Sequence, residues 1–194
     1  MKLLLLGLGN PGEKFSDTRH NIGHNFVDYI ANRYNAPFHN SDGFSISKLR
    51  LSSTDTMLLK SLNFMNLNGS GLTNLLNKHL LSADTFMLVH DEVNLPFSRA
   101  KLSQNKSAGG HNGVRSVIEN LGYSPLRLRI GVDSPALTVS TLSKYVLSKF
   151  SNDEQDALIY LFPKLLHSLK LLITRGISFA SNYTNRYPIP DPSC

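Results

Sequence analysis

Short apolar segments alternate along this chain with segments of helical spacing, and this alternation constrains the fold more than any other feature. Residues 2–8 predict a buried strand, and residues 20–35 predict a helix because Ile22, Phe26 and Ile30 recur every fourth position. The other predicted strands are 44–51, 56–60, 85–90, 100–103 and 126–132, and the other predicted helices are 67–80, 112–121, 138–147 and 153 to about 174, the last with Asn152 as its candidate N-cap. The pattern predicts an α/β fold with a twisted, mixed and mostly parallel central sheet covered by helices on both faces.

The length of 194 residues fits one domain, and no linker-like segment divides it. We therefore predict one α/β domain over residues 1–187 and a Pro-rich tail over residues 188–194. The apolar run after Lys2 ends at Leu8, which is too short for the core of a signal peptide. No run reaches the ~18 apolar residues that would cross a bilayer. The single cysteine, Cys194, argues against a disulfide framework, so we expect a soluble, cytoplasmic protein.

Basic charge is concentrated in one window of the sequence, residues 99–129. Six basic residues and one acidic residue, Glu119, give this window +5 of the chain's net charge of +6. The basic residues are Arg99, Lys101, Lys106, Arg115, Arg127 and Arg129. On one shared surface they would favour a polyanionic partner such as nucleic acid, whereas scattered over several faces they would not.

A glycine-rich segment after the first strand, residues 7–12, formally matches the G-x-G-x-x-G fingerprint of dinucleotide-binding proteins. That fingerprint needs a helix to begin within the glycines, and here Pro11 and the polar residues behind it delay the helix until about His20. The expected ribose-binding acid is also missing, because Asp28 lies inside a predicted helix. A nucleotide cofactor is therefore disfavoured.

Candidate catalytic groups stand at the predicted carboxyl edge of the sheet. His20 opens the first helix, and an imidazole is well suited to accept a proton near neutral pH. Asp91 comes at the end of a strand, where a carboxylate can reach a neighbouring loop and orient an imidazole. His24 lies four residues after His20, but Asn21 stands where the metalloprotease pattern has Glu, so we expect no zinc site.

Amide side chains recur in three separate loops of this predicted edge, at Asn10, Asn66 and Asn112. Amides both donate and accept hydrogen bonds, which suits a carbonyl substrate and its oxyanion. Gly109 and Gly110 precede a predicted helix, where backbone N–H groups can approach an anion.

Six short motifs occur along the chain in an order and spacing that are similar to those of a known family. They are residues 9–12 (GNPG), 18–21 (TRHN), 64–66 (FMN), 90–92 (HDE), 109–113 (GGHNG) and 127–131 (RLRIG). In order and approximate spacing the chain resembles the bacterial peptidyl-tRNA hydrolase family over nearly its whole length. The resemblance implies a monomeric single-domain α/β enzyme without metal or other cofactor and without an obligate protein partner. Such an enzyme hydrolyses the ester between a peptide and the 3′ ribose of tRNA, and so recycles tRNA.

The resemblance also implies roles for individual residues. His20 matches the general base that activates water, Asp91 the acid that orients it, and Asn10 an amide of the catalytic group. The residues expected to bind substrate are Phe15, Phe64, Met65, Asn66, Asn68, His111 and Asn112. The residues expected to contact phosphates of the tRNA acceptor stem and 3′ CCA end are Lys101, Lys106, Arg127 and Arg129.

Some positions depart from the family's pattern. Phe15 stands where the family usually has Tyr, so a hydrogen bond from that hydroxyl is lost. Asn68 and Asn94 stand where Ser and Asp are common. Ser103 and Lys106 stand where the family often has a basic residue and a glycine, so the basic charge is displaced by three positions.

Two other classes remain open from the residues themselves. A non-catalytic RNA-binding module would keep the basic window but has no reason to keep His20, Asp91 and three loop amides. A Rossmann-type oxidoreductase would need the missing ribose acid.

Overall fold

The computed structural model describes residues 2–78, 86–104, 107–134, 142–186 and 188–189. Within these ranges the strands are β1 (Lys2–Gly7), β2 (His39–Ser41), β3 (Phe44–Leu51), β4 (Thr54–Ser61), β5 (Phe86–Pro96), β6 (Ala100–Ser103) and β7 (Leu126–Asp133). The α-helices there are α1 (Ile22–Arg33), α2 (Leu72–Lys78), α3 (Asn112–Leu121), α4 (Leu142–Val146), α5 (Asn152–Arg175) and α6 (Ile177–Thr184). Turns of 3-10 helix lie at Glu13–Phe15, Arg19–Asn21 and Met65–Leu67.

One seven-stranded sheet has the order β2-β3-β4-β1-β5-β7-β6. The four central strands β4, β1, β5 and β7 run parallel to one another. At the sides of the sheet, β2 pairs antiparallel with β3, β3 with β4, and β6 with β7. The predicted mixed sheet with a parallel centre is thus confirmed. The carboxyl ends of β4, β1, β5 and β7 lie at the same edge, where sites form in open α/β sheets.

Alternate side chains of β1 lie in two hydrophobic cores, one on each face of the sheet. Leu3 and Leu5 pack with α1 and α5, and Leu4 and Leu6 pack with α2 and α3. Because both faces are covered, the strand sequence is apolar throughout rather than alternating. Gly23 allows α1 to lie directly on the sheet, since a Cβ there would collide with the Val89 carbonyl oxygen.

Several predicted boundaries shift. The helix predicted from residue 20 begins as a 3-10 turn at Arg19 and becomes α-helical at Ile22, and the strand predicted for 85–90 continues to Pro96. The helix predicted from residue 67 starts at Leu72. The N-cap of α5 is Ser151 rather than Asn152, because the Ser151 hydroxyl accepts from Glu154 N–H in a capping box.

Other predictions concern residues only partly described. Residues 79–80 and 138–141 of two predicted helices, residue 85 of a predicted strand, Lys106, and residues 190–194 of the predicted tail lie outside the described residues. Within the tail, Ile189 is buried in the core on the α5 face, and its carbonyl accepts from Lys164 Nζ at 3.0 Å. The sequence did not predict β2 or α6, which are short and weakly patterned.

Helix α5 is long and apolar enough to cross a bilayer by length and composition alone. Its side chains Leu161, Leu165 and Leu169 instead lie in the core against the sheet. The apolar character of α5 is therefore that of a core helix.

Candidate active site

Loops at the carboxyl edge of the central strands enclose a cleft of about 600 Å³. Asn10 follows β1, His20 lies in the Arg19–Asn21 turn, Asp91 lies in β5, and His111 precedes α3. Other predicted substrate-binding residues that line the cleft are Phe64, Met65, Asn66 and Asn112. The structure therefore brings together residues that are up to about 100 positions apart in sequence.

His20 is held by the carboxylate of Asp91. Its Nδ1 lies 3.0 Å from both Asp91 Oδ1 and Oδ2. An ionised carboxylate only accepts, so Nδ1 of His20 carries the hydrogen and donates it. Nε2 of His20 is then the unprotonated nitrogen, and it has no hydrogen-bond partner among the described residues. This tautomer leaves a lone pair available on a ring that lines the cleft.

A second imidazole, His111, fixes the other side of Asp91. Its Nδ1 accepts hydrogen bonds from the backbone N–H groups of Gly113 and Val114, at 3.1 and 3.3 Å, at the start of α3. The hydrogen of the neutral ring must therefore be on Nε2, which donates to Asp91 Oδ1 at 2.9 Å. The backbone of α3 thus fixes the tautomer of His111.

The two imidazoles determine the charge of Asp91, whose side chain is 2% exposed. Burial by itself raises the pKa of the Asp91 carboxyl. The interactions with His111 and His20 together outweigh that effect and hold the pKa well below its usual value. Asp91 is therefore a carboxylate at any pH near neutrality, and it can stabilise a positive charge on His20.

His20, Asp91 and His111 also form the one cluster in the described part of the chain with the side-chain types to hold a metal ion. A metal would need the lone pair of His111 Nε2, but that nitrogen carries the hydrogen because Nδ1 faces two N–H donors. The donor set fits a hydrogen-bond network centred on Asp91 better than a coordination sphere.

Asn10 is fixed from both sides by hydrogen bonds. Its backbone N–H and C=O both bond to the side-chain amide of Asn21, each at 2.8 Å. Its side-chain Oδ1 accepts from Met65 N–H at 2.8 Å. Because Oδ1 is occupied, the free group of this amide is the Nδ2 donor, and it has no acceptor among the described residues. Asn10 can therefore offer an N–H to a carbonyl oxygen in the cleft.

Two residues predicted to bind substrate, Asn68 and Phe15, do not line the cleft. Asn68 is fully buried beneath the cleft, where its amide bonds to the backbone of Gly9, Asn63 and Phe64. It holds the loop after β1 to the loop after β4 and does not line the cleft. Phe15 meets Phe64 edge to face at 6.2 Å between ring centroids, so it lies beside the cleft rather than in its wall.

The predicted phosphate contacts differ from one another. Lys101 is exposed on β6, opposite Arg129 on β7. Arg129 donates from Nε and Nη2 to Glu92 Oε2 at 2.9 and 2.7 Å. Arg127 does not reach the surface: it is 2% exposed, and its Nη2 donates to the Ser107 carbonyl at 2.9 Å. A phosphate contact at Arg127 stays a prediction, and in this structure the guanidinium anchors the loop before α3.

Sequence reasoning gave no role to Arg19, the neighbour of His20. Its side chain is 9% exposed, and its Nη2 donates to both carboxylate oxygens of Glu154 at the start of α5, at 2.8 and 2.6 Å. It also donates to the Lys149 carbonyl at 2.6 Å and lies over the ring of Tyr145. Arg19 thus ties the turn that carries His20 to the segment between α4 and α5. Its position next to His20 was the only available signal.

His90 was also missed as a supporting residue. Its Nδ1–H donates to the Asp91 carbonyl at 2.7 Å, and its ring meets His111 edge to face at 4.9 Å. Burial lowers the pKa of His90 to about 3, so the ring is neutral. The neutral His90 ring therefore packs against His111 and bonds to the backbone of Asp91 without adding a charge to the site.

The fold and this site together define a class of protein. An imidazole oriented by a buried carboxylate, with an amide donor beside it in a cleft, can activate water and stabilise an oxyanion at a carbonyl carbon. In the described part of the chain no serine or cysteine side chain hydrogen-bonds to His20, so a serine–histidine pair is not formed there. The arrangement is that of a hydrolase with an α/β fold.

Comparisons with known proteins identify the family. The model of the family described as peptidyl-tRNA hydrolase matches residues 4–191. A peptidyl-tRNA hydrolase of Thermodesulfovibrio yellowstonii is 32% identical over 187 residues, covering 95% of this chain and 99% of the relative. One of Chlorobium phaeovibrioides is 35% identical over 185 residues, covering 94% and 97%. The crystal structure of peptidyl-tRNA hydrolase from Acinetobacter baumannii superposes with a TM-score of 0.87 at 29% identity, covering 96% and 95%. The chain belongs to the peptidyl-tRNA hydrolase family, whose members cleave the ester bond of peptidyl-tRNA.

Proposed function

We propose that His20 is the general base of this hydrolysis and that Asn10 supplies a hydrogen bond to the oxyanion. The observation that carries the proposal is the hydrogen-bond chain from α3 through His111 and Asp91 to His20, because it leaves Nε2 of His20 as a proton acceptor. A water bound to Nε2 loses its proton to the imidazole while its oxygen bonds to the ester carbonyl carbon.

The remaining steps follow from the same groups. The carbonyl oxygen becomes an oxyanion and accepts from Nδ2 of Asn10, whose orientation is set by Met65 N–H. The ionised Asp91 stabilises the imidazolium form of His20. As the tetrahedral intermediate collapses, the bond to the ribose 3′ oxygen breaks and His20 returns its proton to that oxygen. The products are a peptide with a free carboxyl group and tRNA with a free 3′ end.

The tRNA side of the substrate is assigned to the β7 and β6 end of the cleft. Lys101 is exposed there, and Arg129 lies directly opposite it across the strands. We propose that these two residues contact acceptor-stem phosphates close to the CCA end, and that Glu92 holds the Arg129 guanidinium in place. We also propose that Asn66 and Asn112, both exposed at the cleft, bind the terminal nucleotide or the first peptide group.

The protein is proposed to work as a cytoplasmic monomer without an obligate protein partner. Peptidyl-tRNA itself, with no added protein, is then a sufficient substrate.

The test is hydrolysis of N-acetyl-alanyl-tRNA, followed as free tRNA and free N-acetyl-alanine. His20→Ala should lower kcat by ~10²–10⁴-fold while tRNA binding stays close to normal. His39→Ala is the matched control, because His39 is an exposed histidine on β2 away from the cleft. Near-normal turnover by His20→Ala would exclude His20 as the base.

A further inference from the structure

A second hollow, of about 320 Å³, adjoins the cleft at Asn10, which lines both. Its walls come from the loop after β1, from the first turns of α1, and from the end of β4. The wall residues that matter here are Glu13, His24, Asn25, Asp28 and Lys60. The mechanism above makes no use of this hollow.

The order of the strands sets the direction in which a substrate can extend. Lys101 on β6 and Arg129 on β7 lie on one side of Asp91 on β5, and Asn10 follows β1 on the other side. Lys60 belongs to β4, one strand beyond β1. If the ester lies between His20 and Asn10 with the tRNA over β7 and β6, the acyl group leaves the carbonyl carbon towards β1 and β4. The hollow lies on that side.

The charges of the hollow suit a peptide better than a phosphate. Lys60 is paired with Asp28, and its ammonium also lies over the Phe38 ring at 4.3 Å. Burial first, and then the charge of Lys60, lower the pKa of His24 to about 3, so His24 is neutral. Glu13 is exposed, and its carboxylate has neither an ion pair nor a hydrogen bond among the described residues. The hollow therefore has one uncompensated negative charge, on Glu13.

We propose that this hollow is the subsite for the second residue of the peptide, counted from the ester, and that it favours a positively charged group there. Either a lysine or arginine side chain or the free α-ammonium of a dipeptide would meet Glu13. This proposal rests on the proposed function, because it needs the ester to lie at His20 and Asn10. A volume of about 320 Å³ is at the lower end of small-ligand pockets, which is enough for one residue.

The first experiment tests occupancy by filling the hollow with Asn25→Trp. Two substrates share one tRNA and one esterified residue: N-acetyl-alanyl-tRNA, and N-acetyl-lysyl-alanyl-tRNA with one more residue. The ratio of kcat/KM for the longer substrate to that for the shorter should fall about tenfold or more in Asn25→Trp. Asn32→Trp is the control, since Asn32 is exposed two turns further along α1 and does not line the hollow. Its ratio should equal that of wild type.

The outcomes separate the two proposals. An unchanged ratio in Asn25→Trp, or an equal loss on both substrates, would overturn the subsite while leaving the hydrolase assignment intact. Failure of the wild-type protein to cleave the shorter substrate would instead overturn the proposed function.

The second experiment tests the charge and does not depend on the bulky variant folding. The second residue is varied among lysine, norleucine and glutamate on the same tRNA. Wild-type kcat/KM should fall in that order, by about two- to fivefold per step, as expected for an exposed ion pair. Glu13→Gln should abolish the difference between lysine and norleucine. Asp17→Asn removes the same charge from the same loop outside the hollow and should keep it. An equal preference in wild type and Glu13→Gln would overturn the role of Glu13.

Discussion

Lowering the pH from 7.5 to 5.0 should destabilise this fold by a large and calculable amount, because two histidines are buried in their neutral form. His24 is 8% exposed and His90 is 2% exposed, and burial lowers the pKa of each to about 3. In the unfolded chain both have the ordinary pKa of about 6.5. Below that value the unfolded state binds protons that the folded state does not, so the free energy of unfolding falls as the pH falls.

The magnitude follows from the two pKa values. Each neutral histidine costs about 1.4 kcal/mol per pH unit below about 6.5, so at pH 5.0 each costs about 2 kcal/mol and the pair about 4 kcal/mol. The pKa of the carboxyls of Asp91 and Glu92 is lowered, so both stay ionised in the fold over this interval. A loss of about 4 kcal/mol is a large part of the ~5–15 kcal/mol that holds a domain folded.

Urea unfolding at pH 7.5 and pH 5.0, followed by circular dichroism, measures this loss. In His24→Leu the loss between the two pH values should be smaller by about 2 kcal/mol, because one of the two titrations is gone. His39→Leu is the control, since His39 is exposed on β2, and its loss should match that of wild type. An undiminished loss in His24→Leu would show that His24 is not buried and neutral.

Three further predictions concern the site. Asp91→Asn should lower kcat on N-acetyl-alanyl-tRNA by ~10²–10⁴-fold, because the carboxylate offers His20 two acceptors at 3.0 Å and an amide offers one acceptor and one donor. A loss below tenfold in single-turnover assays of a folded variant would contradict this role. Lys101→Ala should raise KM for the full tRNA substrate and reduce the slope of log KM against log salt concentration by about one unit. KM for a blocked aminoacyl ester of adenosine should not change, and equal losses on both substrates would contradict the proposed phosphate contact. Arg19→Lys should lower the free energy of unfolding by about 1–3 kcal/mol and also lower kcat, since one ammonium cannot replace both the Nη2 bonds to Glu154 and the Nη1 bond to the Lys149 carbonyl. Urea unfolding and turnover measured on the same sample check both, and an unchanged kcat would separate Arg19 from the positioning of His20.

The sequence was sufficient for a mixed sheet with a parallel centre, though not for β2 or the order of the strands, and it placed His20, Asp91 and Asn10 at one edge of that sheet. Strands are identified by local apolar patterns, and parallel neighbours bring their carboxyl ends to one edge whatever the details of the loops. Asp91 lies in the middle of β5, but it comes two residues after the last pair of β1 and β5, Gly7 and Val89, and so it still lies at that edge. His20 could be assigned to the same edge of the sheet because it lies at the start of the first predicted helix.

The depth of individual side chains was not predictable from local pattern. Arg127 and Arg129 lie on the same face of β7, opposite to Leu128, so the sequence pattern does not distinguish the two arginines. The loop before α3 folds back over Arg127 and buries it against Ser107, whereas Arg129 stays at the rim beside Glu92. Asn68 is similar, because the direction of its amide depends on how the turn at Met65–Leu67 meets the loop after β1.

Contacts between distant segments were also invisible to sequence reasoning. Arg19 and Glu154 are 135 positions apart, and neither belongs to a pattern that suggests the other. Glu154 has two structural roles, since it also accepts from Ser151 N–H to complete the capping box of α5. One carboxylate thus fixes both the start of α5 and the turn beside the proposed base.

The hydrogen positions on both imidazoles of the site follow from the groups that they bond to. The N–H groups of Gly113 and Val114 bond to His111 Nδ1, which places the hydrogen on Nε2 and directs it to Asp91. Asp91 then accepts from Nδ1 of His20 and leaves Nε2 of that ring free. The backbone of α3 fixes the tautomer of His111, and the carboxylate of Asp91, which can only accept, fixes the tautomer of His20. The N–H groups of Gly113 and Val114 are therefore occupied by His111 and are not available to bind an anion.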